Sequence, residues 1–68
     1  VKMRPPKETQ GFTVGQSKVL EKYGVTIIGV KSPGMYFVYA DADTRISPND
    51  LIIASGHSEL LERFAARP

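Results

Sequence analysis

Apolar and basic positions alternate through Val1-Lys2-Met3-Arg4, and the run stops at Pro5-Pro6. Alternation closed by proline predicts a short edge strand with its basic side toward water. From Gly11 to Tyr23 the spacing lengthens: Phe12, Val19 and Tyr23 recur seven and then four residues apart. That spacing predicts an amphipathic helix. Gly15 and Ser17 weaken its propensity, so packing has to hold it, and Gly15 on the apolar side permits a close backbone approach. Gly24 supplies the left-handed residue that stops a helix.

Val25 to Lys31 follows without a loop. Val25, Ile27 and Gly29 point one way, and Thr26, Ile28 and Val30 the other. Both faces are largely apolar, which predicts a central strand covered on both sides. Pro33-Gly34 suits a type II turn, and Met35 to Ala40 resumes as an aromatic, β-rich run, so the two form a hairpin. On that second run Tyr36, Phe37 and Tyr39 read as core residues in preference to a stacking platform. Asp41-Ala42-Asp43-Thr44 and Ser47-Pro48-Asn49-Asp50 are turn clusters, with Asn49 suited to a left-handed position. Leu51 to Ser55 makes a further strand. Ser58 is placed to cap a last helix that buries Leu60, Leu61, Phe64 and Ala65. The expected fold is α+β: a small βαβββα domain with a four-stranded, mainly antiparallel sheet and helices.

Length sharpens this picture. Sixty-eight residues, 41% hydrophobic, make one domain at the size where a single core barely offsets chain entropy. With no Cys and one His, disulfides and thiolate or imidazole metal sites are missing as reinforcements. Oligomerisation is the remaining common solution. Val14, Val19, Leu20, Ile27 and Ile28 also exceed what one thin helix layer can cover, which predicts a homodimer seam on the first helix and second strand. The chain starts on Val1 and has no apolar run of membrane-span length. We read residues 1–68 as a single cytoplasmic domain taken from a longer protein.

The net charge of +2 is too small to indicate nucleic acid, though residues 1–34 hold six Lys/Arg against two Glu and residues 35–68 three Arg against five Asp/Glu. Asp41, Asp43 and Asp50 sit where turns favour Asp, without a calcium-loop pattern. His57 is expected at the surface, opening the last helix. No serine lies in a nucleophile elbow and no phosphate-loop spacing occurs, so no enzyme is indicated.

The ordered set Gly11-x-Thr13-Val14, then Lys22-Tyr23-Gly24-Val25-Thr26-Ile27-Ile28-Gly29-Val30-Lys31, then Asp43-Thr44-x-Ile46-x-Pro48-x-Asp50-Leu51-Ile52-Ile53 and Gly56 resembles the TrkA-C, or RCK C-terminal, domain. This is a module of the regulatory subunits of bacterial Trk/Ktr-type potassium uptake systems, and the similarity covers nearly the whole chain. The resemblance implies a dimer whose N-terminal Rossmann-like neighbour binds ATP, ADP or NAD. It also implies a membrane-embedded potassium transporter subunit as partner of the full-length protein, placing it at the inner face of the membrane. By position, Val14, Val19, Thr26 and Ile27, with Leu20, would line a cyclic di-AMP site at the dimer interface. No cofactor or metal is implied within the domain. Three positions depart from the pattern: Leu20 stands where binders often have Arg, Thr26 where they have Asn, and Ser17 where the family's first helix usually has Leu. A purely structural dimerisation module with no ligand is the alternative these departures raise.

Overall fold

The computed structural model describes residues Val1–Pro68. The strands are β1 (Lys2–Met3), β2 (Thr26–Lys31), β3 (Val38–Tyr39) and β4 (Leu51–Ser55), and the helices α1 (Val14–Ser17), α2 (Val19–Tyr23) and α3 (Ser58–Ala65). They form one sheet in the order β1-β4-β2-β3, antiparallel at every pairing. The βαβββα order therefore stands, with an unanticipated turn of 3-10 helix at Lys7–Thr9.

The first helix is not continuous from Gly11 to Tyr23. Thr13 opens it through a reciprocal capping box with Gln16, donor and acceptor atoms 3.0 and 3.1 Å apart, which satisfies two of the orphan groups at the helix start. Phe12 lies before that cap and is exposed. The Ser17 hydroxyl then donates to the Val14 carbonyl at 2.6 Å, the acceptor that Lys18 N–H would use in a continuing helix. Lys18 N–H turns back to Gly15 O instead, and Lys18 takes a left-handed φ of 54°. Helix resumes at Val19 and ends at Gly24, whose φ of 68° is the expected left-handed stop.

A bulge resets the faces of β2. Ile27 pairs with Ala54, but Gly29 pairs with Ile53, so Ile28 is the extra residue. An inserted residue shifts every later side chain to the opposite face. Val30 thus joins Val25 and Ile27 in the core instead of opposing them. The core contains Val19, Val25, Ile27, Val30, Ile46, Ile52, Ala54 and Phe64, all on the helix side of the sheet. The other face, expected to be covered, carries exposed Ile28 and half-buried Ile53. Gly29 leaves room there, and Phe37 lies within reach of Lys2, whose ammonium sits 5.5 Å from the ring centroid.

The hairpin is present, and Met35 N–H closes the Pro33-Gly34 turn onto Ser32 O at 3.0 Å. Gly34 has φ 76°, as the third position of a type II turn needs. Only Val38 and Tyr39 of the Met35–Ala40 run pair as strand. Tyr36 and Tyr39 are exposed, not core. In α3 Phe64 is buried, Leu60 and Leu61 are half-buried and Ala65 is exposed, so the buried stripe is narrower than the spacing suggests. His57, not Ser58, occupies the N-cap. Asn49 does not take a left-handed φ; Lys18 alone among non-glycine residues does.

Candidate functional site

A groove of about 290 Å³ opens where α1 and α2 pass the start of β2. Val14, Val19, Leu20, Thr26 and Ile27 all line it. They do so unequally. Val19 and Ile27 are buried and form its floor, Val14 is half-buried, and Leu20 and Thr26 stand exposed at its mouth. Leu20 leaves 59% of its surface open.

The far wall was not legible from periodicity. Ala40, Asp41 and Ala42 form it, because the chain leaving β3 is bound to the first turn of α1. Gly15 N–H donates to Ala42 O at 2.9 Å and Val14 N–H to Thr44 O at 2.8 Å, which satisfies amides that the start of any helix leaves free. The signal for this wall was Gly15: a Cβ there would lie 3.1 Å from Ala42 O. Asp41 Oδ1 accepts from Asp43 N–H at 2.9 Å and from the Thr44 hydroxyl at 3.2 Å. It holds the turn in place as Asx turns do. Asp50, buried, does the same for Ser47 N–H at 2.9 Å.

The only charged residues lining the groove are Glu21 and Asp41, both acidic. Cations gather at the opposite end of α2, where Lys22, Arg63 and Arg67 line a second cleft with Tyr23, Gly24 and Leu60. There the Tyr23 hydroxyl and the Arg67 guanidinium both donate to one Glu8 oxygen, and the guanidinium carbon lies 4.9 Å from the Tyr23 ring centroid. The hydrogen bonds from Tyr23 and then Arg67 hold the Glu8 carboxyl below the usual carboxylate range. The bond to Glu8 holds the Tyr23 phenol above its own range.

A carboxylate with a depressed folded-state pKa contributes stability above its unfolded value, about 4.3 for Glu. That contribution is lost as pH falls through the lower folded value. Melting temperatures measured from about pH 5 downward should therefore drop more steeply for the native sequence than for Glu8→Gln. Parallel curves would mean that Glu8 gains nothing from its two donors.

No family model and no curated protein matches the chain. Solved structures do. The chain is similar to the RCK C domain of the potassium transport protein KtrA, solved in complex with cyclic di-AMP, at 24% identity and a TM-score of 0.79, over 96% of this chain and 76% of that one. It is similar to the RCK C domain dimer of S. agalactiae BusR in complex with cyclic di-AMP, at 21% identity and a TM-score of 0.78, over 93% of this chain and 80% of that one. A structure of BusR with its busAB-promoter DNA aligns equally well, at 21% identity and a TM-score of 0.78, this chain spanning 32% of that one. With the bulged central strand, the hairpin and the sheet order on the page, these alignments identify the architecture: the chain has the fold of the RCK C-terminal domains.

Proposed function

We propose that this chain is a dimerising, ligand-sensing regulatory domain of a potassium uptake system, and that its ligand sits in the groove between α2 and β2 at the dimer interface. One observation carries the reading. Five residues scattered over Val14 to Ile27 converge on one groove, in a fold whose solved neighbours include two domains in complex with cyclic di-AMP. An apolar floor with a few polar groups at the mouth is the usual chemistry of a small-molecule site, and a cyclic dinucleotide presents two flat adenines to such a floor.

Val19 and Leu20 on α2 and Thr26 and Ile27 on β2 supply the floor and the mouth, and these two elements meet at Gly24. A ligand against Leu20 and Thr26 touches both the helix and the strand it feeds, so it can bias how they sit. It acts only by binding one dimer arrangement better than another. The signal would pass to a Rossmann-like neighbour that binds ATP, ADP or NAD, and from there to a membrane-embedded potassium transporter. The place of action in this reading is the cytoplasmic face of the membrane. No helix of the chain is itself long and apolar enough to cross a membrane.

The groove's charge favours a second reading, a dimerisation module without a ligand. Leu20 offers no guanidinium to a phosphate, and Glu21 and Asp41 would oppose one. A charge-assisted bond to phosphate contributes about 1.5–3 kcal/mol. Calorimetric titration decides between the readings. Sensing requires saturable uptake of one cyclic di-AMP per dimer, none of ATP, and loss of both dimer and uptake in Leu20→Asp, which brings like charges to the seam. A dimer confirmed by sedimentation that takes up no cyclic di-AMP leaves the structural module standing.

A further inference from the structure

The face of the sheet turned away from the helices gathers aromatic and basic side chains. Lys2 pairs with Ile53, Ile53 with Gly29 and Gly29 with Tyr39, so one row of four residues crosses the whole sheet. Paired residues share a face, and Val30 and Ile52, one step along their strands, are buried in the core. The row therefore faces outward, and Lys31, two residues beyond Gly29, faces outward with it. Gly29 brings no side chain, which leaves a slot of about 310 Å³ walled by Ile28, Phe37, Val38, Tyr39 and Ile53. Tyr39 is 96% exposed and Phe37 half-buried. The Lys2 ammonium, 5.5 Å from the Phe37 ring centroid, reaches over the same surface from the opposite edge of the sheet. No Asp or Glu lines the slot or stands in any of the four strands; all seven lie in helices and loops.

We propose that this open face binds single-stranded nucleic acid, with bases stacked on Tyr39 and Phe37 and phosphates met by Lys2 and Lys31. The site lies on the far side of the sheet from the groove and needs no ligand there. Its chemistry selects the occupant. Exposed aromatic rings flanked by cations hold single strands without sequence preference, because every base offers a flat face, and four-stranded sheets carry out such recognition on one open face. Charge complementarity points the same way. A second copy would set Lys2 and Lys31 against their like, and an uncharged apolar partner would leave both ammonium groups unpaired, whereas a phosphate backbone matches them. Spacing excludes a duplex. Side chains two residues apart on an extended segment stand about 7 Å apart, against a rise of about 3.4 Å per nucleotide in a stacked strand. Bases seated on both rings must be splayed, which an unpaired strand allows. Chain-wide net charge is small only because the carboxylates sit elsewhere; beside the rings the charge is wholly positive.

Fluorescence anisotropy of a labelled thymidine octamer tests this. Titration with the 68-residue chain at low salt should show saturable binding, and log K should fall against log salt with a slope of about −1.4, the value for two lysines on a single strand. Tyr39→Ala should weaken binding by at least about fivefold. Tyr39→Phe, which keeps the ring, should bind as the native chain does, and circular dichroism should be unchanged in both because the side chain is almost wholly exposed. Lys31→Gln should reduce the salt slope to about −0.7. An octamer that fails to bind at low salt overturns the proposal. So does binding that ignores Tyr39→Ala, or that a DNA hairpin with the same number of stem phosphates matches, since either result leaves only phosphate attraction. Octaglutamate competing as well as the oligonucleotide overturns the base as occupant. None of these outcomes touches the groove reading, because Lys2, Lys31, Phe37 and Tyr39 do not line the groove.

Discussion

Phe64→Ala should cost about 3–5 kcal/mol of folding stability. Phe64 is fully buried and lies among Val19, Val25, Ile27, Val30, Ile46, Ile52 and Ala54, with its ring centroid 5.4 Å from that of Tyr23. Two consequences follow from where it sits. It is the one residue of α3 that is fully inside, Leu60 and Leu61 being only half-buried, so truncation removes the anchor of the whole helix. The loss is also large against the whole. At roughly 0.05–0.15 kcal/mol per residue, a chain of this length has about 3–10 kcal/mol to lose. Thermal unfolding should show the midpoint lowered by more than about 12 °C, taking 4–8 °C per kcal/mol for a small domain. Phe64→Leu, which keeps most of the volume, should fall by less than half as much. A drop under about 5 °C for the alanine variant would mean that α3 is held by something other than this side chain.

The turn chemistry explains why so much of the fold was legible and where legibility stopped. Pro33 fixes its own φ, Gly24 and Gly34 tolerate the left-handed φ that a helix stop and a type II turn require, and each stands where that conformation is needed. The strand Leu51–Ser55 and the hairpin follow from those stops. Two long-range or side-chain effects were invisible to periodicity. The Ser17 hydroxyl competes for a backbone carbonyl and breaks the helix at Lys18, a residue with no intrinsic preference for a left-handed φ. The bulge at Ile28 depends on how β4 registers against β2, and a one-residue insertion moved Val30 into the core. Ile46 escaped notice for a related reason: it enters the core from a loop tied to Gly11 and Phe12 by backbone bonds of 2.7 and 2.9 Å, not from a periodic element. Aromatic content misled as well, since Tyr36 and Tyr39 carry the composition of a core strand but lie on an edge.

The groove was partly legible in the same sense. Its floor and mouth fall on the first helix and second strand, where apolar excess suggested a seam. The wall at Ala40 to Ala42 is set by tertiary bonds alone. Glycine was the trace it left in the sequence, because Gly15 is where helix and wall come closest.

Gly15→Val should therefore damage fold and site together. A Cβ at this position lies 3.1 Å from Ala42 O and 3.2 Å from Ala42 Cβ, and the two branches of valine have no room without moving the loop. Moving it lengthens the Gly15–Ala42 and Val14–Thr44 hydrogen bonds that close the start of α1. Overpacking of this kind costs about 1–3 kcal/mol, and opening the wall should weaken cyclic di-AMP uptake, where it occurs, by at least about tenfold, or about 1.4 kcal/mol. Gly15→Ala separates sterics from propensity. Its single methyl asks Ala42 to yield by a few tenths of an ångström, while replacing glycine inside a helix gains about 0.5–1 kcal/mol. The two terms nearly cancel, so the alanine variant should unfold within about 1 kcal/mol of the native chain. Chemical denaturation of both variants reads the difference directly. Equal stability of the valine and alanine forms would show that the loop yields freely, and the groove would then have a movable wall in place of the fixed one described above.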